Sequence, residues 1–252
     1  MTLSKPALRP MLRLATVVAA LGLSTAVAAE VLVVRSTGPS AATYPVGRRM
    51  PDSERVVLRT GDRVVIVGQG GTRTLSGPGN FPVRATVQST QGRSTTLNRY
   101  LSASGGSISR TGAVRGTVQD SVAPNLWVVD IASGGTFCTT DMSNVTMWRA
   151  DMTQDTLLMV ENTANPEVKT SLAFVAGQNF RRWPSEEMPI AEGQSYRITG
   201  PGMNESSVIS FVPVPAMGPE AGPETIATTL AERNCMGQLA QLGARLEESN
   251  GN

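Results

Sequence analysis

The 252-residue chain carries 22 Lys and Arg, 20 Asp and Glu, and no histidine. Without an imidazole, the Ser-His-Asp and Cys-His nucleophilic arrangements are excluded, as are His-ligated zinc, copper and haem centres. The first 28 residues hold three bases and no acid, so the remainder has 19 bases against 20 acids, and nucleic acid is not an expected partner.

That first stretch reads as an export signal. Lys5, Arg9 and Arg13 form a positive front, an apolar run follows from Leu14 to Ala28, and Ala26-Val27-Ala28 supplies a small-x-small cleavage pattern. The run is about 15 residues long, short for a helix that must cross about 30 Å of hydrocarbon at roughly 1.5 Å per residue. Cleavage near Ala28 and a periplasmic or otherwise exported product are expected, with an uncleaved anchor as the competing reading. No transmembrane span is expected after cleavage.

Residues 29–87 read as a small β module. Val31 to Val34, Val56 to Leu58 and Val64 to Val67 are short apolar runs. The insert Arg59-Thr60-Gly61-Asp62-Arg63 has turn chemistry and predicts a hairpin between the second and third runs. Thr72 to Leu75 is expected to pair back, and Phe81 to Val87 alternates and closes the module. The glycines of Gly68 to Gly79 are read as turn formers. A phosphate cradle would need a following helix, and no GK[ST] is present.

Residues 88–124 are rich in Ser, Gly and Arg and read as a linker, with a helical turn or two at Leu97 to Leu101. Within it, Arg110 and Arg115 are candidate contacts for an anionic ligand, and a solvated basic segment is the alternative. Strand patterns resume over 125–215: Leu126 to Ile131, Thr136 to Thr139, Val145 to Arg149, Thr156 to Val160, Val168 to Val175, Ser195 to Thr199 and Val208 to Val212. Seven or eight short strands spaced by turns predict an antiparallel, immunoglobulin-like sandwich. Trp127, Trp148, Trp183 and Tyr196 are its expected core aromatics.

The tail, 216–252, predicts one helix of about 24 residues entered at Gly222-Pro223. Ile226, Leu230, Cys235, Leu239, Leu242 and Leu246 form its apolar stripe. Cys138 and Cys235 are the only cysteines, and an even count in an exported chain predicts a disulfide between them. The fold class expected overall is mostly β: a small β module, an antiparallel sandwich and a C-terminal α-helix.

Little catalytic chemistry remains. Lys169 is the only lysine past the leader and has no SxxK spacing. Asp151/Asp155 and Glu186/Glu187 are the carboxylate pairs open to a glycosidase-like hydrolase. Both stand in turn-like polar contexts, where solvated acids are the ordinary case. Met142, Met147, Met152 and Met159 lie near Cys138 and would suit soft copper, although Met is also a common core filler. No cofactor, metal site or catalytic residue is expected. Charge divides along the chain: 29–124 holds 12 Arg against 5 acids, and 125–252 holds 7 bases against 15 acids. The preferred reading is that the two halves pack together.

Arg59-Thr60-Gly61-Asp62-Arg63-Val64, followed by Gly70-Gly71-Thr72-Arg73-Thr74-Leu75-Ser76-Gly77-Pro78-Gly79-Asn80-Phe81, resembles FecR-type domains. Those proteins relay an outer-membrane signal to a cytoplasmic sigma factor. The resemblance covers about 60 residues and implies a β fold and an envelope role. That family's cytoplasmic portion and anchoring helix have no counterpart in the sequence, so sigma-factor regulation is not expected. The expected function is a non-catalytic envelope binding or scaffold module whose partner is another envelope protein. The alternatives are a carboxylate-dependent exported hydrolase and an anion sensor using Arg110 and Arg115.

Overall fold

The computed structural model describes residues 30–84, 95–102, 123–203, 206–218 and 221–250. The expected leader, 1–28, and most of the expected linker lie outside the described residues. The first six strands are β1 (Glu30–Thr37), β2 (Arg49–Pro51), β3 (Arg55–Leu58), β4 (Arg63–Gly68), β5 (Gly71–Ser76) and β6 (Gly79–Pro82). They form an antiparallel sheet in the order β2-β1-β4-β5 and a separate antiparallel ribbon, β3-β6.

Side-chain pattern explains this layering. In β1, Val31 and Val33 join the core beneath the ribbon, while Leu32 and Val34 join a second core on the opposite face. In β4, Val64 and Ile66 divide from Val65 and Val67 in the same way. A strand buried on both faces carries a continuous apolar run, not an alternating one. β3 alternates instead: Val56 and Leu58 are buried, and Arg55 and Val57 are exposed. It has only one face to bury, and it pairs with β6, not β4.

The expected hairpin between β3 and β4 is therefore corrected. The turn itself forms, with Gly61 at a φ of 84° and the Asp62 N–H donating to the Arg59 carbonyl at 3.1 Å. The strands it joins belong to different layers, because β4 needs a neighbour on each edge and both its faces covered.

A short helix, α1 (Thr95–Leu101), precedes eight strands: β7 (Val128–Asp130), β8 (Gly135–Thr139), β9 (Thr146–Trp148), β10 (Thr156–Asn162), β11 (Asn165–Phe174), β12 (Phe180–Arg182), β13 (Ser195–Thr199) and β14 (Ser207–Pro213). They make a five-stranded sheet, β11-β10-β13-β14-β8, and a three-stranded sheet, β12-β9-β7. Both sheets contribute to one core: Val129 and Met147 from the smaller meet Leu158, Leu172, Tyr196 and Phe211 from the larger. Most pairings are antiparallel, but β8 runs parallel to β14, and β7 parallel to β9.

Trp183 and Tyr196 fill the sandwich core as expected, whereas Trp127 and Trp148 are buried in other clusters. Trp183 stands edge-on to Tyr196 at 5.1 Å and to Phe211 at 5.4 Å between ring centroids, a geometry that the ring quadrupoles favour. Their polar ends are satisfied: the Trp183 indole N–H donates to the Met188 carbonyl at 2.6 Å, and the Tyr196 hydroxyl donates to the Pro189 carbonyl at 2.9 Å. Trp127 is buried in the core shared with the tail, and Trp148 packs with Val128 and Ala123.

The tail forms two helices, α2 (Pro223–Glu232) and α3 (Met236–Asn250), in place of the single helix expected. Leu230 and Cys235 are five positions apart. At about 100° per residue, one unbroken helix would place them about 140° apart around its axis. Asn234 breaks the helix with a left-handed φ of 58°, a conformation asparagine tolerates better than most residues. The phase resets, and Ile226, Leu230, Leu239, Leu242 and Leu246 all reach the same core.

That core is shared. It gathers Leu32, Val34, Val65 and Val67 from the front sheet, Leu97, Tyr100 and Leu101 from α1, and Leu126, Trp127, Cys138 and Val214 from the back. The two tail helices lie between the β modules and bury both. Each fully buried Leu or Ile contributes about 1.5–3 kcal/mol of transfer free energy, so removing the tail would expose a large apolar area on either side. Where α3 crosses β1 the approach is close: a Cβ on Gly243 would lie 2.4 Å from the Val34 carbonyl oxygen, at the register shift of β1.

Candidate functional site

Among the described residues, the two cysteines meet at the junction of β8 with α3. Adjacent residues of a strand point to opposite faces. Phe137 of β8 enters the sandwich core, and Cys138 enters the core shared with the tail. Cys235 sits in the bend between α2 and α3, and its carbonyl accepts the Leu239 N–H at 3.0 Å. The two cysteines form a disulfide with Cα atoms 5.8 Å apart, across a sequence separation of 97. Both are fully buried. Reactive cysteines need solvent access and a stabilised thiolate, so this bond is structural.

Gln238, one turn along α3, completes the junction and was not singled out from sequence. Its Oε1 accepts the Cys138 N–H at 2.6 Å, and its Nε2 donates to the Cys138 and Leu126 carbonyls, each at 3.0 Å. β8 is the edge of the five-stranded sheet. Gln238 therefore gives that edge the hydrogen bonds a further strand would have supplied, and α3 covers it. The only hint in the sequence is a polar residue three positions after Cys235, on the buried side of the stripe.

The candidate carboxylates do different work. Asp151 accepts from the Thr153 N–H at 2.9 Å and the Thr153 hydroxyl at 2.7 Å. Asp155 accepts the Ala176 N–H at 2.7 Å. Glu187 accepts the Thr170 hydroxyl, and all four acids of the two pairs are exposed. Each of these three binds a turn or neighbouring strand and stands on an open surface, not across a cleft.

Two other acids are set apart by their surroundings. Burial raises the Asp130 carboxyl above its ordinary value, offset in part by the Ala132 N–H and the Ser133 hydroxyl. It borders a void of about 20 Å³ shared with Gln238 and Gln241, room for about one water. Asp62 is the reverse case. Burial opposes its charge, but hydrogen bonds from Ser40 and the Arg59 N–H outweigh burial and hold it below the ordinary value. Its oxygens lie 2.7 Å from the Ser40 nitrogen and 2.5 Å from the Arg59 nitrogen.

Asp62 and its neighbours account structurally for the glycine-rich motif. The Gly77 N–H donates to the Asp62 carbonyl at 2.9 Å, and a Cβ on Gly77 would meet the Arg59 carbonyl at 2.0 Å. The Gly-Asp and Gly-Pro-Gly segments thus interlock and fix the entry to β4 against the exit from β5.

Among the described residues, the buried Arg149 forms no ion pair with a carboxylate. It donates to the carbonyls of Gln154, Val175 and Gln178 and to the Thr156 hydroxyl, at 2.7 to 3.0 Å, and it lies over the Phe174 ring. The methionines separate: Met147 is core, Met142 packs against that core, and Met152 and Met159 are exposed. Cys138 is committed to the disulfide. Arg110 and Arg115 lie outside the described residues.

The charge division of the chain is expressed as contact. Glu247 of α3 pairs with Arg35 at 2.5 Å and with Arg63 at 2.9 Å, and Glu232 lies 3.6 Å from Arg49. Arg49 also borders a cleft of about 170 Å³ with Glu30, Gln69 and Glu224, smaller than the roughly 300 Å³ at which small-molecule pockets begin. No described helix is long and apolar enough to cross a membrane. No family model, curated protein or solved structure matches the chain.

Proposed function

We propose that this chain is a non-catalytic exported envelope protein that serves as a binding or scaffold module. The observation that carries the reading is the shared core: two β modules are held at a fixed spacing by a helical pair and a buried disulfide. A rigid body of this kind presents two surfaces in constant relation, which is what a scaffold requires. The disulfide suits an oxidising compartment. The leader pattern and the resemblance of the front module to FecR-type domains support an envelope location. The absence of histidine and the scattered carboxylates support a role without catalysis.

The partner we propose is another envelope protein. The test places a photo-crosslinking residue in turn at Gln69, in the exposed turn between β4 and β5 of the front module, and at Leu157, on the open face of the large sheet, in the native host. The reading expects a discrete crosslinked species of defined mass from at least one position. Monomer alone from both positions, with the protein folded and exported, would overturn it.

A further inference from the structure

The ribbon β3-β6 buries one face and leaves the other open. Val56, Leu58 and Phe81 point to the core, and the register Arg55↔Pro82 and Val57↔Asn80 places those four side chains outward. Arg59 and Arg84 continue the same alternation at the two ends, and both are exposed. Val57 is 57% exposed at the centre. The face is thus three guanidinium groups around a protruding valine, with Arg55 laid across the ribbon by donating to the Asn80 Oδ1 at 2.8 Å and the Asn80 carbonyl at 3.0 Å and keeping its remaining N–H groups outward. None of the three makes an ion pair with a carboxylate among the described residues, whereas Arg35, Arg48, Arg49 and Arg63 of the same module all do. The acids around the face are engaged or set back. Glu54 pairs with Arg48 at 2.6 Å, Asp62 is buried on backbone N–H groups, and Asp52 is half-buried at the rim.

The geometry points to a docking surface for an anionic phospholipid membrane. Guanidinium groups match phosphate oxygens bidentately, and an exposed apolar side chain among them enters the headgroup boundary. A flat anionic surface fits better than an acidic peptide. Neither cleft described above reaches this face, and the ribbon edges are already occupied. The Val57 N–H donates to the Tyr44 hydroxyl at 2.9 Å, and Arg73 donates to the Pro82 and Val83 carbonyls, each at 3.0 Å. Strand addition by a peptide would need such groups free. This surface is separate from the protein partner proposed above and does not depend on it.

The test uses the oxidised chain 29–252, because the basic, apolar leader would itself bind lipid. Sedimentation with vesicles of phosphatidylglycerol and phosphatidylethanolamine is compared with vesicles of phosphatidylcholine. Binding is expected to the first only and to weaken with salt. Each arginine near an anionic surface adds about fivefold to partitioning, so the triple variant R55Q/R59Q/R84Q should lose about a hundredfold. R181Q, on the exposed strand β12 of the sandwich, should bind as the parent does. Circular dichroism of each variant confirms that it folds. Equal binding to both vesicle types, no binding, or a folded triple variant that binds like the parent would overturn the proposal. So would capture of a soluble acidic peptide by the same arginines without vesicle binding, which would assign the face to a protein partner.

Discussion

Replacing Gln238 with leucine tests the junction most sharply. The side chain is buried, and it accepts one backbone N–H and donates to two backbone carbonyls at 2.6 to 3.0 Å. Leucine keeps the bulk and the helix propensity but makes none of these bonds. An orphaned buried donor or acceptor costs about 1–3 kcal/mol. The Cys138 N–H is a buried donor whose partner is the Gln238 Oε1, whereas carbonyls tolerate the loss better, so the low end applies to them. A total loss of about 3–5 kcal/mol follows, a large share of the roughly 5–15 kcal/mol that stabilises a domain. Urea unfolding of the oxidised protein, followed by tryptophan fluorescence, measures it. Gln238→Glu sharpens the test, because it retains the acceptor and buries a carboxyl. Its neutral form is favoured in the fold, so that variant should lose stability more steeply than the parent as pH rises, while Q238L keeps the parent's pH profile over the same range. A Q238L protein within about 0.5 kcal/mol of the parent, the spread of neutral surface changes, would refute the idea that Gln238 closes the sheet edge.

Three further predictions follow from the same contacts. Gly243→Ala places a Cβ 2.4 Å from the Val34 carbonyl and should cost about 1–3 kcal/mol by overpacking, read as a fall in the urea midpoint at unchanged slope. C138A/C235A removes a link across a separation of 97 residues, and the loop-entropy model sets the loss at about 4–5 kcal/mol; a loss under about 1 kcal/mol would contradict it. Asp130→Asn tests pH dependence. Burial holds the folded carboxyl above its ordinary 3.8, so the stability tied to its protonated form is complete below that value and declines as pH climbs through the raised one. The asparagine variant should therefore be more stable than the parent at neutral pH and show a flatter pH profile.

The gross architecture was legible because burial leaves a direct mark on pattern. The alternation of Arg55-Val56-Val57-Leu58 marks a strand with one buried face, and the unbroken runs of β1 and β4 mark strands with two. Pairing was harder to read. Turn residues between 59 and 63 identify a reversal of the chain, but they do not say whether the strands on either side share a sheet. The break at Asn234 had a signal in the five-residue step from Leu230 to Cys235, which one helix cannot keep on a stripe. The parallel placement of β8 beside β14 had none, because it is a ladder between residues 74 positions apart, from Ile209↔Gly135 to Pro213↔Thr139.

The candidate sites were legible to a different degree. Cys138 and Cys235 paired as their even count and the expected export predict, and their setting in a shared core shows why the bond joins a strand to a helix bend. Asp151, Asp155 and Glu187 each have a local hydrogen-bonding role that composition alone does not reveal. The ribbon arginines escaped notice because Arg55, Arg59 and Arg84 are scattered in sequence, and only the β3-β6 register brings them onto one face.

The central claim is that the tail helices and the disulfide bind the two β modules into one unit. Native-state hydrogen exchange tests it directly, by comparing the opening free energies of core amides in β4 of the front sheet and β14 of the back. In the oxidised protein both sets should report the same global value, since neither module can open without exposing the core of the other. Two clearly separate values, with the front sheet opening while β14 stays protected, would contradict the account.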